Sequence, residues 1–283
     1  MWLGEQINDK GIGNGISIIL FAGIVSRIPS LITQLFGGTG TGSYWSRGGV
    51  YYFLSPFVCV ILVLMIAFIV WMDNAERRIP VQYAKRVVGR KMYGGQNTHI
   101  PIKVNMSGVM PVIFAGSILS IPPTIQMFIP AAKLSASKFW TGFFNVFSST
   151  HWAYGIIYFI LIIAFAYFYS SIQYNPIEMS QNIAKNGGMI PGIRTGRPTS
   201  DYIARIISRI TLLGALLLSV VAIFPILFSQ ITTLILSKAT SYADGMNISL
   251  GGTSIIILVG VALETVKQLE SQMMMRHYKG FLD

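Results

Sequence analysis

A single cysteine, Cys59, among 283 residues leaves no partner for a disulfide, and its place inside a hydrophobic stretch reads as a buried structural thiol. Histidine is nearly as scarce. His99, His151 and His277 are dispersed without ligand spacing, which excludes a zinc-type cluster and leaves no metal site to assign. Acidic residues number ten, and nearly all stand in loops or at the ends of hydrophobic stretches. Glu264 is the exception, and it falls three residues before Lys267, where a helix would let the two pair. The run Gly37 to Gly42 has no preceding strand and no lysine in P-loop register, so it reads as a flexible external loop. No Gly-x-Ser-x-Gly elbow is present either. The catalytic inventory is therefore empty, and neither an enzyme nor a cofactor is expected.

What the chain has in quantity is apolar surface. Hydrophobic residues make up 53% and charged residues 11%, which excludes a disordered chain and points to a polytopic helical membrane protein. Six hydrophobic stretches are present. Residues 51–72, 152–174 and 210–236 each supply about 20 or more largely apolar positions, enough to cross a hydrocarbon core of about 30 Å. The other three are inferior. The stretch after Gly15 is interrupted by Arg27 and Pro29, residues 106–129 carry Pro111, Pro122 and Pro123, and residues 253–263 are apolar for barely half a membrane. Such backbone survives at membrane depth where protein or a water-filled cavity lies beside it, so these three are where a pathway is expected.

Basic residues set the topology. With the N-terminus on the cytoplasmic side, the outer segments hold only Arg27, Arg47, Lys133, Lys138 and Lys238 of the 21 lysines and arginines, which places both termini inside. Tyr51, Tyr52 and Trp71 on the second stretch, and Trp152, Tyr154, Tyr167 and Tyr169 on the fourth, suit interfacial belts. The net charge of +11 is mainly topological, though it leaves two large inner loops attractive to acidic partners. The start, Met1-Trp2-Leu3-Gly4-Glu5-Gln6, lacks the features of a signal peptide and reads like the end of a preceding helix.

The first inner loop runs Asn74-Ala75-Glu76-Arg77-Arg78-Ile79-Pro80-Val81-Gln82-Tyr83-Ala84-Lys85-Arg86 and on to Lys103-Val104-Asn105-Met106; its early alternation predicts a β-hairpin-like finger. The second contains Asn175-Pro176-Ile177-Glu178-Met179 and Gly187-Gly188-Met189-Ile190-Pro191-Gly192-Ile193-Arg194-Thr195-Gly196, where Gly and Pro predict sharp turns with Arg194 at a projecting tip. With Trp2 to Ile7, Gly11-Ile12-Gly13-Asn14-Gly15-Ile16-Ser17 and Gly251-Gly252-Thr253-Ser254, these motifs resemble the SecY family, the central subunits of the bacterial Sec protein translocon. The resemblance covers essentially the whole chain.

That resemblance implies an all-α polytopic fold with six transmembrane helices, corresponding to helices 5–10 of a ten-helix family. Residues 1–50 would hold the end of helix 4, helix 5 and an external loop. Residues 51–283 would form the second half, helices 6–10, with cytosolic loops at about 74–105 and 175–203. It implies a protein-conducting channel subunit in the bacterial cytoplasmic membrane, passing unfolded polypeptides for secretion and insertion. A pore ring falls on Ile16, Leu20, Ile113 and Ile257, and such an apolar constriction blocks ions by dewetting while deforming around a chain. Ser117 and Ile121 match lateral-gate positions, where Pro122 and Pro123 are expected to end the regular helix. Arg77, Arg78 and Arg194 match residues that dock the ribosome or the SecA motor, with possible phosphate contacts to ribosomal RNA. SecE and SecG subunits would brace the helices, and lipid would surround them. Half of a secondary transporter is the alternative; it predicts buried charge at mid-membrane, where this chain places Ile, Leu and Ser.

Overall fold

The computed structural model describes residues 2–11, 14–37, 44, 51–83, 86–88, 91–93, 97–129, 138–148, 151–239 and 251–279. In chain order the elements are α1 (Trp2–Lys10), α2 (Gly15–Val25), α3 (Ile28–Phe36), α4 (Tyr51–Asn74), β1 (Glu76–Tyr83), β2 (Arg86–Val88), β3 (Lys91–Tyr93) and β4 (Asn97–Lys103). They are followed by α5 (Met110–Phe128), α6 (Lys138–Val146), α7 (Trp152–Gln173), α8 (Pro176–Lys185), β5 (Gly188–Met189), α9 (Arg197–Ala239) and α10 (Gly252–Lys279). Six segments among the described residues are long and apolar enough to cross a membrane: Gly15–Phe36, Tyr52–Asn74, Met110–Phe128, Trp152–Lys185, Arg197–Leu234 and Gly252–Met274. The expected six-helix membrane fold is therefore present. Of the expected outer-side cations, Arg47 and Lys133 lie outside the described residues, as does the glycine run from residue 38, while Lys238 falls within α9.

Two expectations about the inferior spans change. Pro122 and Pro123 do not end α5 but lie inside it, six and five residues before Phe128. Each proline removes one i to i−4 hydrogen bond, yet apolar surroundings leave the chain no better alternative than helix, and membrane helices tolerate such positions. The last span is also longer than its apolar core suggested, because Glu264, Thr265, Lys267, Gln268 and Glu270 continue α10 to Lys279. Most of these residues propagate a helix well without being apolar. The first span breaks where expected, between α2 and α3, with Pro29 in the first turn of α3.

The chain divides into two compact units. One comprises Met1–Val70, Ile129–Gly155 and Val220–Asp283, the other Trp71–Phe128 and Ile156–Ser219. In the first, α2 packs against both α1 and α10. The approach of α1 to α2 needs glycine at position 15, where a Cβ would strike the Gly4 backbone; one on Gly4 would lie 3.3 Å from Ile16 Cγ1, a tight side-chain contact. Asn8 Oδ1 accepts from the Gly15 amide at 2.7 Å, and Asn14 caps α2 by accepting from the Ile16 amide. At the head of α10, a Cβ on Gly252 would come within 2.5 Å of the Val221 carbonyl oxygen.

The second unit carries the loops. The first loop forms the expected finger: β1 and β4 pair antiparallel from Glu76 with Lys103 to Gln82 with Asn97, and β2 pairs with β3 farther out. The second loop is more ordered than turns alone predict. Asn175 caps α8, Pro176 opens it, and β5 adds to the far side of β1 through Gln82 with Met189 and Tyr83 with Gly188. The sheet order is β4-β1-β5, so the fold is helical with small sheets outside the spans. One face of the sheet is buried by a core of Ile79, Val81, Ile102, Met106, Ile183, Ile190, Ile203 and Ile207. Both loops thus share one hydrophobic core. Ile79 is 3% exposed, and Ile79→Ala is expected to cost about 2–4 kcal/mol locally. Limited proteolysis of the variant should open residues 84–96 and 187–196 together; cleavage in the first loop alone would mean that the loops fold independently.

Candidate functional site

The expected site residues fall on three pieces of structure. Ile16 and Leu20 lie one turn apart on α2 and are 50% and 49% exposed. Ile257 is half-buried on α10, the helix that packs against α2 in the same unit. The structure therefore brings three of the four expected ring positions onto two neighbouring helices. Ile113 belongs to the other unit, half-buried on α5.

Ile113, Ser117 and Ile121 recur every four residues on α5, so they share a face. Ser117 and Ile121 are exposed, and Ile113 accepts a hydrogen bond at its carbonyl from Ser117 Oγ at 2.8 Å. Ser120 Oγ and Thr124 Oγ1 donate in the same way to the carbonyls of Ser117 and Ser120. These hydroxyls are thereby satisfied within the helix and add no polar cost to a face that must meet apolar surroundings. The opposite side of α5 is the packed one, with Pro111, Val112, Ala115 and Leu119 buried.

Arg77, Arg78 and Arg194 are all exposed, but they are not equivalent. The period of two along β1 puts Arg77 on the side of Ile79 and Val81, and Arg78 on the opposite side with Glu76. Arg78 is held there: its Nη2 and Nε both lie 2.7 Å from Glu76 Oε1. Arg194 sits in a turn set by Gly192 (φ +83°) and Gly196 (φ +105°), backbone conformations that glycine adopts without a Cβ penalty. Ile193 packs on the core, and the Arg194 carbonyl accepts from Thr199 Oγ1 at 2.8 Å, so the turn is pinned at both ends. Arg77 and Arg194 thus project from segments fastened to the same core. Lys85 lies outside the described residues.

Three polar contacts escaped sequence reasoning. Asn105 Nδ2 donates to Asp73 Oδ1 at 2.7 Å, and the Val104 amide donates to the Ala75 carbonyl at 2.9 Å. Together they close the base of the finger, joining the end of α4 to the segment that leads into α5. A hydroxyl pair, Ser170 Oγ and Thr211 Oγ1 at 2.8 Å, is buried between α7 and α9. Asn105 belonged to a motif already singled out; the hydroxyl pair left no signal, because serine and threonine in a span are ordinary. Among the described residues no cluster of potential metal ligands is present.

Comparison with known proteins gives a consistent result. The family model described as SecY matches residues 1–266. The protein translocase subunit SecY of Mycobacterium tuberculosis is 46% identical over 287 residues, taking in 100% of this chain and 60% of that protein. The subunits of the same name from Mycobacterium leprae and Streptomyces galbus are 45% and 44% identical, with 61% and 60% of their lengths covered. The chain thus spans about 60% of the length of the curated relatives it matches. Two solved structures share the fold over 95% of this chain at 18% identity. One concerns the plug domain of SecY and the closed state of its channel, with a TM-score of 0.55; the other is described as the structure of a protein-conducting channel, with a TM-score of 0.53.

Proposed function

The chain belongs to the SecY family, and from that premise we propose that it forms the second part of a protein-conducting channel subunit in the bacterial cytoplasmic membrane, with both termini cytoplasmic. Residues 1–50 contribute the end of helix 4, helix 5 and an external loop; residues 51–283 contribute helices 6–10. The observation that carries this reading is the match along all of the chain to relatives named protein translocase subunits. The geometry agrees with it. Ile16 and Leu20 form an apolar, half-exposed face on a span that is too interrupted to be a plain lipid-facing helix.

In this reading Ile16, Leu20, Ile113 and Ile257 contribute to the apolar ring, which excludes ions because wetting it is unfavourable. No group in it forms or breaks a bond, and the push comes from partners. Ser117 and Ile121 border the lateral gate toward lipid, where signal sequences are met. Arg77 and Arg194, fastened to one core, present cations to the SecA motor or to ribosomal phosphates, with Arg78 contributing through its Glu76-held head. SecE and SecG brace the spans. The transporter alternative is disfavoured, because the match along all of the chain is to relatives named protein translocase subunits.

Cysteine cross-linking in the complete complex tests the conduit. With Cys59 replaced by Ala, Leu20→Cys is expected to form a disulfide with a cysteine in a precursor stalled during translocation, while Val58→Cys, fully buried on α4, is not. Absence of the Leu20→Cys adduct over a scan of precursor positions would overturn the reading.

A further inference from the structure

Arg27, assigned by the charge pattern to an outer segment, falls inside a candidate span instead. It lies within the 22-residue candidate span Gly15–Phe36, and at about 1.5 Å per residue it is roughly 18 Å from Gly15, slightly past the middle. A charge at that depth is costly unless it has a partner or faces water. Among the described residues the Arg27 guanidinium has no ion-pair partner, and the residue is exposed. What Arg27 does supply is backbone: its carbonyl accepts from the Leu31 amide at 3.1 Å and from Ser30 Oγ at 2.6 Å, starting α3.

The direction of the side chain follows from the dihedrals. Ser26 (φ −59°, ψ −19°) and Arg27 (φ −87°, ψ −13°) both keep right-handed helical values across the break, so the faces of α2 continue through it. At about 100° per residue, Arg27 then falls roughly 20° from Ile16, Gly23 roughly 20° to the other side, and Leu20 roughly 40° from Ile16, just beyond Arg27. All four residues are exposed, and a Cβ placed on Gly23 would meet no atom within 4 Å. One open stripe therefore runs from the two expected ring residues to a fixed positive charge about 10 Å beyond Leu20.

We propose that Arg27 is a charge-selectivity residue of the conduit: the first fixed charge beyond the apolar ring, drawing in anions and acidic segments of the passing chain and holding back cations and basic segments. This rests on the conduit reading given above. A low-dielectric wall focuses the field of a single charge, so its influence extends across a water-filled vestibule and acts on whatever passes. An arginine facing lipid instead would extend its stem toward the headgroups and leave conduction untouched.

The test uses the complete translocase, held open by a stalled precursor, with anion-to-cation permeability read from reversal potentials in a planar bilayer. Arg27→Gln is expected to lower the ratio about three-fold or more, Arg27→Glu to lower it further, and Arg27→Lys to keep it. In vesicles, Arg27→Glu should also raise the rate for a precursor carrying a lysine block relative to one carrying a glutamate block. An unchanged ratio in Arg27→Glu, or equal losses in Arg27→Gln and Arg27→Glu, would overturn the charge role. The Leu20→Cys adduct separates the two levels. If it forms while permeability ignores Arg27, this inference alone fails; if it does not form, the conduit reading fails and takes this inference with it.

Discussion

Replacing Gly214 by valine is expected to abolish the native packing of the second unit. Gly214 is buried on α9, one turn after the buried Thr211 and directly before the buried Ala215. A Cβ placed there would collide with the carbonyl oxygen of Val104, a main-chain atom that cannot rotate away. Val104 is itself fixed by its amide hydrogen bond to Ala75 and by its neighbour Asn105, which donates to Asp73. Relief would therefore move either α9 or the whole base of the finger, and overpacking of this kind commonly costs about 1–3 kcal/mol and more where backbone must shift. Gly214→Ala, which adds that Cβ alone, should already destabilise the unit, and Gly214→Val should lose it altogether. Thermal unfolding followed by near-ultraviolet circular dichroism would read this, and a valine variant melting within about 2 °C of the parent would contradict the packing described here.

The same glycine shows what a sequence can and cannot disclose. The six spans were legible, since apolar length is a local property and needs no partner to be recognised. The finger was legible too, because Ile79 and Val81 alternate with Arg78, Pro80 and Gln82, a period of two confined to one strand. β5 was not. Two residues, Gly188 and Met189, carry no pattern of their own, and their strand exists only because β1 offers an edge and Ile190 has a core to enter. Nor did Gly214 stand out, although Gly15 and Gly252 belonged to motifs already noted. All three serve the same purpose, close approach of a helix to another backbone, which only the partner's position reveals.

Among the site residues the sequence distinguished kinds better than individuals. Arg77 and Arg78 are adjacent and chemically identical, yet strand geometry sends them to opposite faces and ties Arg78 to Glu76. Exposed ion pairs of this sort contribute about 0–1 kcal/mol, so the tie orders the Arg78 head more than it stabilises the finger. Likewise any aliphatic residue of a span is normally a packing residue, and Ile16, Leu20, Ile113 and Ile257 emerged from family motifs alone. Ile16 and Leu20 are half-exposed and Ile113 and Ile257 half-buried, which separates them from core positions such as Val58, Ile69 and Ile162, fully buried, though not from other exposed aliphatic residues of the spans.

That separation makes Ile113→Asn informative as a functional substitution. Val112, its neighbour, has no exposed surface, and an asparagine there would leave an amide among packed apolar side chains at a cost of roughly 1–3 kcal/mol or more. Ile113 is half-buried, and its backbone carbonyl already serves Ser117 Oγ, so an asparagine side chain keeps access to open space without disturbing the helix. The folding cost should be small and, in the proposed conduit, the change falls on the apolar ring. An amide favours water by several kcal/mol relative to an alkyl group, and each 1.4 kcal/mol by which wetting becomes easier corresponds to about ten-fold in the wetted population. The complete complex bearing Ile113→Asn is therefore expected to leak ions roughly ten-fold faster at rest and to pass precursors with weakened signal sequences, because part of the work of opening has been removed. Ion flux from proteoliposomes and export of a signal-sequence mutant would measure the two effects. Val112→Asn, by contrast, should lower the yield of folded protein; if it produced the same leak at normal yield, while Ile113→Asn did not, Ile113 would be a lipid-facing residue and the ring would have to be sought elsewhere on α5.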